Sequence, residues 1–342
     1  MLARKPHNSF HRALLLGTFA VLTGAAPVGA RDNYLPPLPH APAVVSETEG
    51  RKFGFLRESI LGKADGEWTP LLLSHLGEGF FDPWVRPPDG ASGAPRQGWL
   101  NSFDGHFTRE HHLGYFFTSN LPDGRDGHVG LYEFQTPLSR RLFVNVTVPF
   151  VAALTGGPGP SRAGLGDLII VPRVMLHETQ NLSVSSGLGV RIPVGRAATG
   201  NDQTSLLPSL QFWSDVGNSW TVRGGIGVEV PLDGTSGGLR RGLGPLPVFV
   251  PGAPDASLIT NLAAGRTWTP HDNTPFGDFA TYVAFNMRND FFGNSTRTTV
   301  SLTPGFRTHL GNNLFFLAAL EVPVTGPKPF DERFLFLFVK GF

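Results

Sequence analysis

The last eleven residues form an alternating segment that ends on an aromatic side chain. Residues two apart in a β-strand point to the same face, so one face of this segment would carry Phe334, Phe336, Phe338 and Phe342. The opposite face would carry Leu335, Leu337, Val339 and Gly341. Chain termini in water-soluble domains usually fray. An apolar strand at the terminus therefore predicts that lipid or a protein core covers it.

The segment resembles the closing strand of bacterial outer-membrane β-barrels, which ends on Phe and is recognised by the barrel-insertion machinery. We therefore interpret the four phenylalanines as an assembly signal. Lys340 departs from the pattern, because such strands usually carry an aromatic or apolar residue at its position. The alternative interpretation is an ordinary strand buried in a soluble sheet.

The N-terminus predicts a secretory signal peptide over residues 1–30. Basic residues Arg4, Lys5 and Arg12 precede the apolar run 13–26, and Val28-Gly29-Ala30 fits a cleavage site. The run is too short for an uncleaved membrane anchor. The chain has no cysteine, which excludes a disulfide framework and cysteine-based metal sites and is compatible with passage through the periplasm.

Composition narrows the class of membrane protein. After residue 30 the sequence has no run of eighteen apolar residues, so we expect no transmembrane helix. A membrane protein without such helices must be a closed barrel, because open sheet edges cannot face lipid. The net charge of +1 produces no overall field that would favour nucleic acid as a partner.

The pattern of strands and turns begins at residue 107 and continues to residue 342. Residues 31–106 are rich in proline and turn signals, and we interpret them as an N-terminal periplasmic extension or plug-like segment; extra strands are the alternative. For residues 107–342 we predict an all-β, antiparallel up-and-down transmembrane barrel of about twelve strands. The predicted strands are 107–119, 128–137, 141–154, 166–178, 181–194, 205–217, 219–232, 256–269, 277–290, 297–310, 313–325 and 332–342.

Apolar and polar residues alternate most clearly in segments 142–150, 182–194 and 220–232. This alternation is typical of transmembrane barrels, although a soluble sandwich gives the same pattern with inside and outside exchanged. Loop lengths favour the barrel, since short connections alternate with long ones, as expected of periplasmic turns and outer loops. The connection 270–276 fits poorly, because it should be a short turn.

Six charged or titratable side chains have the parity of the lumen face. They are Arg173, His177, Arg191, Arg223, Glu229 and Glu321. They could select solutes, or they could pair across a narrow lumen and hold it together. No local Ser/His pairing and no G-x-S-x-G motif occurs, so we expect no enzyme and no cofactor. His111 and His112 are adjacent and would point to opposite faces, which argues against a shared metal ion.

Two glycine-rich motifs carry a family resemblance. The stretch 164–168 has the sequence G-L-G-D-L, and after one strand the stretch 187–195 has the sequence G-L-G-V-R-I-P-V-G. They resemble the outer-membrane family named for the MetA-pathway of phenol degradation, with Val194 in place of the expected Thr. The resemblance covers residues 120–342 and extends to the stretch 302–306.

The resemblance implies a Gram-negative outer-membrane barrel that transports small, often hydrophobic or aromatic, molecules. Its expected partners are outer-membrane lipid, the insertion machinery and a small-molecule solute. The alternative is a structural or adhesive surface barrel without transport.

Overall fold

The computed structural model describes residues 53–156, 161–195, 199–200, 203–232, 238–241, 247–250, 254–292, 295–326 and 328–342. The signal-peptide prediction for residues 1–30, and the N-terminal segment up to residue 52, lie outside these residues. Among the described residues, no helix is long and apolar enough to cross a membrane.

The described chain is dominated by β-strands. In chain order they are β1 Glu110–Thr118, β2 Asp126–Pro137, β3 Leu142–Thr155, β4 Arg162–Gly164, β5 Leu168–Glu178, β6 Leu182–Ile192, β7 Ser205–Gly217, β8 Trp220–Pro231, β9 Gly238–Arg241, β10 Pro247–Val250, β11 Ala256–Thr267, β12 Gly277–Phe292, β13 Ser295–Gly311, β14 Leu314–Pro323 and β15 Arg333–Gly341. Helix α1 spans Gly54–Leu61, and one 3-10 turn spans Leu73–His75.

Twelve strands close into an antiparallel barrel, which confirms the predicted fold class. Barrel strands neighbouring in sequence pair with each other, and β1 pairs with both β2 and β15. Leu113 lies opposite Tyr132 on one side and Phe338 on the other. The last strand of the chain is therefore the closing strand, and closure leaves no sheet edge facing lipid. Strand β4 pairs with residues 152–154 at the end of β3, beyond the part of β3 that pairs with β5, whereas β9 and β10 form a separate hairpin.

The two faces of the barrel match the predicted alternation. On β6, Leu188 and Ile192 are exposed on the outer surface, while Ser183, Ser185 and Arg191 are buried inside. The same holds along β3 and β8. Large exposed apolar side chains around a closed sheet form the belt that a bilayer covers, so the soluble-sandwich alternative is excluded.

The ends of the barrel follow from the position of the C-terminus, which lies with the short turns on the periplasmic side. Strands β5 and β6, β7 and β8, and β13 and β14 are joined there by short turns. The connection between β11 and β12 is longer, as the sequence indicated. At the other end, β12 and β13 are 16 and 17 residues long, so their hairpin extends further than predicted.

Residues 53–109 run along the periplasmic mouth and then into the lumen. Leu71 forms a single β-bridge with Glu178 at the end of β5. Further along, Trp99, Leu100, Phe103 and Phe107 are almost completely buried among inward-facing side chains of the barrel. We call residues 84–107 the inner segment.

Candidate functional site in the barrel lumen

One side of the lumen carries a network of buried ion pairs towards the extracellular end. Arg191 on β6 contacts Glu229 on β8 at 2.5 Å, and Arg288 on β12 approaches the same carboxylate at 3.6 Å. Arg288 also pairs with Asp290 at 2.5 Å, and Arg297 on β13 pairs with Asp290 at 2.7 Å. Because each carboxylate has a basic partner, this wall is polar without presenting charge of one sign.

Glu321 is held in a second ion pair. Its carboxylate contacts Arg333 on β15 at 2.7 Å and accepts a hydrogen bond from Ser301 at 2.6 Å. Arg333 also donates to Thr118 Oγ1 at 2.9 Å, and its guanidinium lies 4.0 Å from the ring centre of Phe330. The arrangement favours pairing within the wall over a charged lining that is open to solute.

His177 does not lie on the lumen face, and the prediction for it is wrong. A β-bulge between Met175 and His177 shifts the alternation of β5. As a result His177 lies opposite outward-facing Val184, while Glu178 lies opposite buried Ser183. The buried carboxylate of Glu178 contacts Arg96 of the inner segment at 3.3 Å.

Arg223 and Arg173 connect the barrel wall to the inner segment. Arg223 on β8 forms an ion pair with Asp104 and donates a hydrogen bond to the Gln97 carbonyl. Its guanidinium lies 4.1 Å from the ring centre of Trp99. Arg173 on β5 donates to the carbonyl of Asp104 and to Ser185 Oγ, the latter at 2.7 Å. The two predicted arginines therefore fix the inner segment inside the lumen.

Burial affects the charge of the inner segment. Desolvation, reinforced by Arg223 and other nearby arginines, lowers the pKa of His106 well below its usual range. His106 is therefore neutral at physiological pH, and Asp104 is the acidic group that faces Arg223.

Neutral contacts hold the inner segment against the opposite strands. The Trp99 ring stacks on Tyr282 of β12 with centroids 4.8 Å apart, and the Tyr282 hydroxyl accepts from the Leu100 N–H at 3.0 Å. The Phe103 N–H donates to Asn261 Oδ1 at 3.0 Å. Gly105 passes so close to β7 that a Cβ atom would lie 2.5 Å from the backbone of Phe212. This close approach requires glycine.

The other side of the lumen is apolar. Its buried side chains come from β1, β2, β3, β11, β12, β14 and β15 and pack with Trp99 and Leu100 of the inner segment. They include Phe116, Val129, Leu131, Leu317, Leu335 and Leu337. The lumen thus has one ion-paired wall and one wall dominated by apolar side chains, with the inner segment between them. The second wall, which we call the apolar wall, also contains the paired groups Glu110, His112 and Glu133.

Two of the cavities formed by the described residues lie beside the inner segment. A cavity of 70 Å³ is lined by Trp99, Glu133, Val171 and Leu337, among others. A larger cavity of 430 Å³ lies at the periplasmic mouth, where Trp84 and Phe315 are among the lining residues. The space beside the segment is therefore narrow inside the barrel and wider at the periplasmic end.

The two adjacent histidines separate as predicted. His112 faces the lumen, where it contacts Glu110 at 3.0 Å and Glu133 at 3.1 Å. His111 faces outwards and lies 2.6 Å from the Tyr132 hydroxyl. In the part of the chain that the structure describes, no group of His, Asp or Glu is arranged to hold a metal ion.

Several important lumen residues were missing from the sequence-based set. Arg288 and Arg307 have inward parity on strands whose positions were predicted, so a fuller use of the alternation would have found them. No periodic signal identified Asp104, because it lies in an irregular segment.

The closed sheet, the apolar belt and the two-sided lumen define a β-barrel of the Gram-negative outer membrane. The chain belongs to the family described as "Putative MetA-pathway of phenol degradation", whose model matches residues 104–330. The family resemblance inferred from the glycine-rich motifs is thereby confirmed.

Solved structures similar to the chain include an outer-membrane channel, which shares its fold, and a porin. The COG4313 outer membrane channel from Pseudomonas putida F1 is 12% identical, with a TM-score of 0.55, over 72% of this chain and 100% of that chain. The KdgM porin is 8% identical, with a TM-score of 0.43, over 68% of this chain and 99% of that chain. No curated protein matches the chain.

Proposed function

We propose that the protein is a passive channel for small, apolar or aromatic solutes, and that residues 31–106 act as a plug-like periplasmic segment. The observation that carries this proposal is the division of the lumen into an ion-paired wall and an apolar wall on either side of the inner segment. A solute that enters beside Trp99 would pass apolar side chains such as Leu317, Leu337 and Val339. The charged groups nearest to them include His112 and Glu133, which are paired with each other. No catalytic step is part of this function.

The chemistry of the walls supports neutral solutes over ions. A channel that selects ions presents a ring of one charge sign to the passing solute. Here Glu229 and Glu321 are each neutralised by an arginine of the same wall. Along the apolar wall an ion would lose hydration without gaining a partner, which is costly, whereas an apolar solute would not.

The assembly signal remains part of the proposal. Phe334, Phe336 and Phe338 lie exposed on the lipid face of β15. Phe342 continues the row, with its ring 4.7 Å from His111 and 6.0 Å from Phe134. We infer that the insertion machinery recognises this aromatic row before lipid covers it.

Transport can be tested in liposomes that contain the purified full-length protein. Swelling with a neutral phenyl glycoside should exceed swelling with a disaccharide of similar mass. Val129→Thr makes the apolar wall polar at nearly constant volume and should reduce phenyl glycoside entry. Thr221→Val, on an inward position of β8, is the matched control and should leave it unchanged.

The narrow cavity beside the inner segment favours one competing function, a surface barrel without transport. That function predicts no swelling with either solute, and such a result would overturn the channel proposal. Equal entry of both solutes, unchanged by Val129→Thr, would instead retain a channel and refute the apolar route.

A further inference from the structure

An open groove crosses the outer surface of β11 to β15, from the periplasmic end of β11 to the first residues of β15. Its volume is 680 Å³, and its lining is almost entirely apolar. Part of its surface is formed by small residues, including Ala264, Gly265 and Ala318. The large residues that border it include Trp220 and Trp268. The groove is therefore a depression in the lipid-facing wall, separate from the lumen.

One charged residue lines this groove. Arg266 is the penultimate residue of β11, lies opposite Trp220 of β8, and shares its outward face. Its guanidinium lies 4.7 Å from the ring centre of Trp268. The Trp268 ring is itself fixed by a hydrogen bond of 2.8 Å from Nε1 to Thr281 Oγ1. The cation is thus held at the periplasmic end of an apolar depression.

Arg266 differs from Lys340, a second long basic side chain on the outer face of the described barrel strands. The Lys340 ammonium donates to the Asn312 carbonyl. Arg266 forms no ion pair with any described acidic residue, and its buried Nε has no hydrogen-bond acceptor among the described residues. A charge on the lipid face is unfavourable unless it reaches the interface and finds a partner there. Because Arg266 lies near the end of β11, its long side chain can place the guanidinium in the interfacial region of the membrane.

We propose that this groove binds one glycerophospholipid of the periplasmic leaflet. One acyl chain lies against Ala264 and Ala318, and the phosphate accepts hydrogen bonds from Arg266. A guanidinium is well suited to phosphate because its planar donors can bind two oxygens. Tryptophans at headgroup level are usual in membrane proteins, and here Trp220 and Trp268 border the acyl chain. The site goes beyond solute passage and does not depend on it.

The position of Arg266 at the periplasmic end of the barrel indicates which leaflet supplies the lipid. Arg266 lies beside the periplasmic turn between β11 and β12, where the leaflet consists of phospholipid. Lipopolysaccharide occupies the opposite leaflet, so its phosphates would not reach this end of the barrel. The expected ligand therefore has a single headgroup phosphate and two acyl chains.

The test uses the full-length barrel in detergent, titrated with phosphatidylglycerol or phosphatidylethanolamine and analysed by native mass spectrometry. The wild type should retain one phospholipid. Arg266→Gln should lower retention about tenfold, because a charge-assisted contact is lost. Ala264→Phe should block the groove and abolish retention.

Two matched variants complete the test. Lys340→Gln removes an outward cation that lies outside the groove, and Leu262→Phe enlarges the same face of β11 outside the groove. Both should stay within about twofold of wild type. Heat-modifiability on gels shows whether each variant is folded. If Ala264→Phe does not assemble, phospholipid retention by Arg266→Gln alone tests the proposal.

Three results would overturn the proposal. The first is a wild type that retains no phospholipid. The second is an equal loss in Arg266→Gln and Lys340→Gln, which would indicate general surface charge. The third is retention of lipopolysaccharide in preference to both phospholipids.

Discussion

Replacing Asp104 by Asn should loosen the inner segment without changing the barrel wall. Asp104 belongs to the segment and Arg223 belongs to β8, so their ion pair joins two parts of the chain that are far apart in sequence. Asn keeps the shape of the side chain and removes its charge. Arg223, which is fully buried, then loses its carboxylate partner.

The magnitude follows from the surroundings of the pair. Removing one partner of a buried ion pair costs about 3–5 kcal/mol. The Asp104 side chain is 23% exposed, and Arg223 keeps the Gln97 carbonyl and the Trp99 ring as partners. We therefore expect the lower end, about 3 kcal/mol, which corresponds to an increase of about 150-fold in the ratio of released to bound segment.

Single-channel recording in planar bilayers measures this change as the frequency of large-conductance openings. Asp104→Asn should raise that frequency strongly over wild type. Glu229→Gln is the control, because it removes a carboxylate from Arg191 in a pair formed by two wall strands. The reasoning would be refuted if Asp104→Asn opened no more often than wild type, or if Glu229→Gln opened as often.

Three further predictions concern the wall and its assembly. Val146→Arg, on the lipid face of β3, should destabilise the folded barrel by about 2–4 kcal/mol. Its control, Asn145→Arg, places the charge in the lumen beside Glu133 and should be tolerated. Equal urea midpoints for the two variants would contradict the assigned faces. Deleting Phe342, or replacing Phe338 and Phe342 by Ser, should abolish assembly of the barrel. Undiminished heat-modifiable protein in the outer membrane would disprove this prediction. Replacing Glu229 and Glu321 together by Gln removes the two negative charges that contact Arg191 and Arg333, so reversal potentials under a salt gradient should shift towards anion selectivity. An unchanged potential would show that these residues do not line the constriction.

The barrel strands were predictable because their pattern is local and repeated. Alternation along segments such as 182–194 depends on side chains two residues apart, and each strand repeats it. Closure also followed, since the unpaired backbone groups of an edge strand cannot be exposed to lipid. The boundaries of β12 and β13 were less accurate, because their hairpin continues past the apolar part of each strand.

The error at His177 shows where parity fails. One extra residue in a strand reverses the alternation beyond it, and nothing in the sequence around Met175 distinguishes a bulge from a regular strand. Glu178 consequently takes the inward position and contacts Arg96. Inward parity also does not guarantee room for a larger side chain, because Ser185 faces the lumen but is fully buried and accepts a hydrogen bond from Arg173.

The arrangement of the inner segment could not be predicted from periodicity. Its contacts join residues more than a hundred positions apart, such as Phe103 with Asn261 and Trp99 with Tyr282. Each contact depends on side chains that the closed barrel brings together. An inward-facing charge such as Arg223 could be placed on the lumen face from sequence, but its partner Asp104 could not.

The inner face of β15 explains why the segment can dock in a lumen that is otherwise polar. Leu335, Leu337 and Val339 face inwards and are buried, while Phe334 and Phe336 face lipid. In water-filled porins the inward face is polar. Here Leu335, Leu337 and Val339, together with Phe116 of β1 and Leu317 of β14, form an apolar patch like that of a protein interior. Burying Trp99 and Leu100 against it is favourable in proportion to the apolar area covered. The same surface would be exposed if the segment left, so a solute able to replace the segment there must itself be apolar.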